Sequence, residues 1–151
     1  MAAASYSFSL AGTPITQGSM SVFRGRIVHQ KSKELTAWRN AINEACRAIM
    51  EPLEGPVTVD VTFRLLSPRS APRALPHVRP DVDKLARAAL DGLTGAAFAD
   101  DAQVVTLTAR KVYGAPGAVF VIEGERQDAA ADIQGVLTSL GDVPGLHSRE
   151  R

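Results

Sequence analysis

The sequence predicts an α+β fold: a mixed, largely antiparallel sheet with two main helices packed on it. Three observations carry this. Two segments repeat their apolar residues at spacings of three and four, others alternate apolar with polar residues, and their order is strand, helix, strand, helix, hairpin. With 151 residues, 45% of them hydrophobic, the chain can build one domain around a real core and is too short to argue for two.

Tyr6, Phe8 and Leu10 alternate with Ser7 and Ser9, the period of a half-buried first strand. Gly12, Pro14 and Gly18 then break regularity, and Ile27 with Val28 suggests a short strand. Ser32 is suited to cap a helix on which Leu35, Trp38, Ile42, Cys46 and Ile49 form one apolar stripe, so Trp38 and Cys46 read as core. Pro52, Gly55 and Pro56 end it. Val57, Val59, Val61, Phe63 and Leu65 alternate with Thr58, Asp60, Thr62 and Arg64 in the next strand. Residues 67–80 are rich in proline and arginine without periodicity; they fit either a segment that orders on a phosphate backbone or a solvated connection. A second helix follows through Leu85, Ala88, Ala89 and Leu93 to Gly95, with Asp81 or Asp83 as its cap. Val105, Leu107 and Ala109 alternate with Thr106, Thr108 and Arg110, and a turn at 114–117 leads into Ala118–Ile122, which reads as a β-hairpin. A short helix is suggested at 129–140. The folded domain is expected over 1–126 and a peripheral or disordered tail over 127–151.

The single cysteine, Cys46, leaves no intramolecular disulfide and no thiolate cluster for zinc. No secretory signal or bilayer-spanning run is evident, so a soluble, cytoplasmic protein with no membrane contact is expected. The net charge of +1 hides an asymmetry: 10 Lys+Arg against 5 Asp+Glu up to Pro80, and 7 against 11 beyond it. Basic surface would hold phosphates while clustered carboxylates hold a metal. Arg24, Arg26, Lys31, Arg69, Arg73, Arg79 and Lys84 are the candidate contacts to a nucleic-acid backbone.

The densest chemistry lies in RPDVDKLARAALDGLTGAAFADDAQ, residues 79–103. Residues one apart on a helix point away from each other, so Asp81 should precede the helix and Asp83 should lie in its first turn for both to face one ion. Asp83, Arg87 and Asp91 share a helix face, with Asp91 expected in an ion pair there and Arg87 placed to neutralise carboxylates or touch a phosphate. Asp100 and Asp101 stand where the chain enters the next strand; if that strand returns beside the helix start, one of them can complete the set. Mg²⁺ takes few protein oxygens and leaves room for water and substrate phosphate. Asp81, Asp83 and one of Asp100 and Asp101 would serve it. Each pair alone has a structural explanation, cap or turn, and only their conjunction points to a metal.

Together these residues resemble the RusA-like endodeoxyribonucleases, the Holliday-junction resolvases, whose pattern is Asp-x-Asp-Asn-Leu-x-Lys, a further Asp, a Leu-x-Gly helix ending and Asp-Asp-x-Gln before a strand. Asp81, Asp83, Leu85, Asp91, Leu93, Gly95, Asp100, Asp101 and Gln103 match, and LAGTPITQGS with Trp38 extends the likeness over residues 8–123. The resemblance implies a homodimer that cuts four-way or other branched DNA by paired symmetric nicks with Mg²⁺, or Mn²⁺ in its place, in phage or prophage recombination or replication. It assigns Asp81, Asp83 and Asp101 as catalytic metal ligands, with Asp100 the runner-up, and gives Arg87 the place of the family lysine. Lys84 stands where the family has Asn; Arg for Lys keeps charge but is a poor proton donor. The alternatives are a catalytically impaired branched-DNA-binding protein of this fold and a Mg²⁺-dependent transferase acting on a nucleotide sugar.

Overall fold

The computed structural model describes residues 2–126 apart from Ser19, Gly25, Gln30, Lys31, Ala71 and Pro72. Its elements, in chain order, are β1 (Ala2–Ala11), β2 (Met20–Phe23), β3 (Arg26–His29), α1 (Ser32–Arg47), β4 (Glu54–Leu65), α2 (Val82–Leu93), β5 (Val104–Tyr113) and β6 (Gly117–Arg126). The helix suggested at 129–140 lies outside the described residues. β2 and β3 pair as a separate antiparallel ribbon, with Arg24 in its turn at φ 49°. Ile27 and Val28 belong to β3, whereas β2 had no strand pattern to announce it.

The main sheet has the order β1-β6-β4-β5, mixed as expected, with β4–β5 parallel and the other two pairings antiparallel. β4 is central because its apolar phase is complete: Val57, Val59, Val61 and Phe63 are all at most 1% exposed. Both helices cover that face. Trp38, Ile42 and Cys46 of α1 and Leu85, Ala88, Ala89 and Leu93 of α2 join these β4 residues and Ala118, Phe120 and Ile122 of β6 in one core. Phe8 of β1 stacks on Phe120 at 4.7 Å between ring centroids. The two helices approach so closely that a Cβ on Gly92 would lie 2.9 Å from the Ile42 Cβ. Ile49, expected to end the α1 stripe, falls beyond the helix and is 42% exposed. Burial pushes the Cys46 thiol up to about 11, so it stays protonated and serves as packing.

The expected hairpin is corrected. β5 and β6 are not neighbours, because β4 lies between them. Strand β4, helix α2 and strand β5 form a βαβ unit, which sets β5 parallel beside β4; the chain then passes over the end of β4, and β6 inserts on its other side. Three connecting residues suffice, since they span at most about 10 Å and two strand spacings come to about 9.5 Å. Gly114 N–H donates to the Leu65 carbonyl at 3.0 Å as the chain crosses. On the opposite face, Arg110 of β5 donates to both Asp60 oxygens, at 2.8 and 3.1 Å, and to the Thr62 hydroxyl at 2.8 Å.

Candidate active site

The βαβ unit decides where each acidic pair lies. α2 begins near the carboxyl ends of β4 and β5 and ends near their amino ends, so the carboxylates that precede it and those that follow it are separated by its length. Twelve helical residues extend about 18 Å.

At the first end, Asp81 occupies the cap position in extended conformation, φ −73° and ψ 135°, without a side-chain capping bond. Its carboxylate faces Lys84 at 3.1 Å instead. That hydrogen bond and charge, helped by Arg79 and Lys111, hold the Asp81 pKa below the ordinary carboxylate value. Asp83 is in the first turn of α2, exposed, where a negative charge suits the helix dipole. Arg87 is exposed one turn further on and makes no ion pair among the described residues. The loop before Asp81 is tied to β5: Lys111 donates to the carbonyls of Val78 and Pro80, both at 2.8 Å, and Arg73 donates to the Tyr113 hydroxyl at 3.4 Å. Gln17 N–H reaches the Lys84 carbonyl at 3.2 Å from the loop after β1. Arg69 is exposed in the same 67–80 connection.

At the other end an open cleft is lined by Arg39, Asp91, Thr94, Ala99, Asp100 and Asp101. Asp91 pairs with Arg39 of α1 at 3.6 Å, so its partner lies across the helix interface and is not Arg87. Asp100 caps a 3-10 turn, Asp101–Gln103, by accepting from Ala102 N–H at 2.8 Å. Asp101 is exposed, and its carboxylate makes no hydrogen bond or ion pair among the described residues. Gln103 pins this turn: its carbonyl accepts from Ala99 and Asp100 N–H at 3.0 and 3.2 Å, and its amide donates to Leu53 and Gly55 carbonyls, both at 3.0 Å.

The structure therefore sets Asp81 among Lys84, Arg79 and Lys111, with Asp83 two residues on in the first turn of α2, and puts Asp100 and Asp101 at the far end of the helix. β5 meets the helix start only near Lys111, seven residues after Val104 and on the order of 20 Å along the strand. Among the described residues no three His, Cys, Asp or Glu gather as metal ligands. The Asp81–Asp83 pair still fits Mg²⁺, which is commonly held by one or two carboxylates with waters and substrate phosphate. Of the candidate DNA contacts, Arg73, Arg79 and Lys84 lie at this end, and Arg24 is in the β2–β3 turn. Arg26 lies in β3, but its side chain, like Lys31, is outside the described residues.

Lys111 was missed by sequence reasoning. The signal was its phase: it continues Leu107 and Ala109 on the core-facing side, where a lysine is out of place.

The family model of endodeoxyribonuclease RusA matches residues 12–123. The chain belongs to the RusA endodeoxyribonuclease family. A search of the curated proteins finds no match. The family match takes in every aspartate of both ends of α2, along with Gln103 and Lys111, and the α+β fold with a mixed sheet agrees with it. In a RusA-family nuclease the reaction is hydrolysis within a DNA strand, and among the described residues no helix is long and apolar enough to cross a membrane.

Proposed function

We propose that this RusA-family chain is a Mg²⁺-dependent endonuclease that resolves four-way or other branched DNA by paired symmetric nicks, acting as a homodimer in the cytoplasm during phage or prophage recombination or replication. The observation that carries this reading is Asp81 and Asp83 at the start of α2, by the carboxyl end of the parallel strands, with Lys84, Arg79 and Lys111 close to Asp81 and Arg87 one helical turn beyond Asp83. That edge of a parallel sheet is where open α/β units hold ligands.

Asp81 and Asp83 would hold Mg²⁺, with Mn²⁺ able to replace it. When bound, the ion supplies charge neutralisation at the phosphoryl oxygens and a more acidic attacking water. The protein's own contribution begins with Asp81, a carboxylate ionised near neutral pH whose pKa Lys84 lowers further, so no proton has to be displaced from it. Arg87, which makes no ion pair among the described residues, lies one turn beyond Asp83 and can grip a phosphate in a two-pronged hydrogen bond as the scissile group gains charge. Arg69, Arg73, Arg79 and Lys84 steer and hold the DNA backbone, with Arg24, Arg26 and Lys31 as further contacts from the preceding ribbon and loop.

The distance between the two acidic ends gives the dimer a second purpose. A two-fold axis can set Asp101 of one copy beside Asp81 and Asp83 of the other, forming two equal sites from two incomplete ones. Paired nicks across a symmetric junction need that symmetry.

One observation favours a second reading, a branched-DNA-binding protein with impaired catalysis: Lys84, in place of the family asparagine, already occupies Asp81 at 3.1 Å. Matched four-way, forked and linear DNA incubated with Mg²⁺ and either wild type or Asp83→Asn separates the two. The nuclease reading expects selective cutting of the four-way substrate, lost by at least about 100-fold in Asp83→Asn, with junction binding kept. Salt-sensitive junction binding with no cutting by wild type establishes the second reading, and equal cutting of all three substrates removes the claim of junction selectivity.

A further inference from the structure

We propose that Lys111 is a positioning residue for the Asp81–Asp83 pair, an inference that rests on the reading of that pair as metal ligands. In the parallel ladder Lys111 stands opposite Phe63, continuing the register in which Leu107 faces Val59 and Ala109 faces Val61. It thus occupies the core-facing phase of an edge strand. A long side chain can cover apolar surface with its methylenes while carrying its charged end outward. Here the charged end reaches the backbone just before the carboxylates.

Two of the three ammonium donors are spent on the Val78 and Pro80 carbonyls at 2.8 Å each. Charge-assisted bonds of this length are roughly twice as strong as neutral ones. No other side chain among the described residues bonds the backbone of 78–80. Among the described residues of 66–80 few other bonds hold the connection, so Lys111 fixes where it delivers Asp81 onto α2. It does this from the carboxyl end of β5, one strand away from the end of β4 that launched the loop.

Two roles for this lysine predict opposite signs. As a nearby cation it would repel a divalent ion, and its removal would tighten metal binding. As an anchor that holds the carboxylates in place, its removal loosens them, and loss of such supporting contacts weakens metal binding about 10–100-fold.

The test is Mn²⁺ binding to the full chain without DNA, followed by electron paramagnetic resonance of the free ion, for wild type, Lys111→Met, Lys111→Arg and Asp83→Asn, with thermal unfolding measured on each. Positioning predicts roughly 10–100-fold weaker binding in Lys111→Met, an unfolding midpoint within a few degrees of wild type, and partial recovery in Lys111→Arg, whose guanidinium can serve two carbonyls. Binding that is unchanged or tighter in Lys111→Met, while Asp83→Asn loses the ion, overturns the anchor and leaves the carboxylate reading standing. Asp83→Asn binding like wild type, or a wild type that binds no Mn²⁺, overturns both. If Lys111→Met does not fold, Lys111→Gln, which keeps a shorter amide donor, is read on the same criterion.

Discussion

Lys84 departs from the family pattern beside Asp81, and its contact with that carboxylate has a measurable sign. The hydrogen bond and charge of Lys84 are the main causes that lower the Asp81 pKa in the folded chain. A carboxylate whose folded pKa is depressed contributes stability that is fully present above its unfolded value, about 3.9, and is lost as pH falls through the folded value. The window for that loss is therefore strongly acidic, and Asp81 stays ionised at any pH suited to DNA cleavage. Lys84→Met is expected to raise the Asp81 pKa toward the ordinary range in a carboxyl-carbon NMR titration. No movement would assign the shift to Arg79 and Lys111 instead. Because both groups are nearly half exposed, little change in overall stability should accompany it.

At the scale of elements, β5 touches both acidic stretches, with Gln103 just before its start and Lys111 near its end. Every hydrogen-bonding position of the Gln103 amide is used, two in and two out, which ties the Asp100–Asp101 turn to the start of β4. Gln103→Ala should cost about 1–3 kcal/mol and speed hydrogen exchange at Ala99 and Asp100 N–H, while amides at the start of α2 keep their protection. Uniform loss of protection across both ends would refute this local role. The helices, β1 and β4 were legible because their apolar phases are unbroken, and so were both acidic motifs, which depend only on spacing. The order of the strands was not. A turn such as 114–116 looks the same whether it joins neighbours or steps across a strand, and only the pairing of β4 along both its edges decides between them. The same omission placed Asp101 beside Asp81 in the sequence reading. That reading supposed a strand returning along the start of α2, whereas a parallel crossover must begin its second strand at the helix's far end.

For the whole molecule, that displacement becomes a prediction about assembly. If each site takes Asp81 and Asp83 from one chain and Asp101 from the other, Asp83→Asn and Asp101→Asn are each inactive alone, because every site in either homodimer carries the defect. Mixing and re-equilibrating the two variants creates heterodimers in which one site collects both substitutions and the other collects none. Cleavage should return at up to about one quarter of the wild-type rate: random exchange makes half the dimers mixed, each with one sound site. The product should be singly nicked junction rather than paired nicks, visible on a denaturing gel with each strand labelled. A site built within one chain predicts no recovery, since each protomer then carries its own defect. Activity in Asp101→Asn alone would remove Asp101 from the ligand set and leave Asp81 and Asp83 as the protein's whole contribution, the smaller number that Mg²⁺ accepts when substrate phosphate supplies the rest.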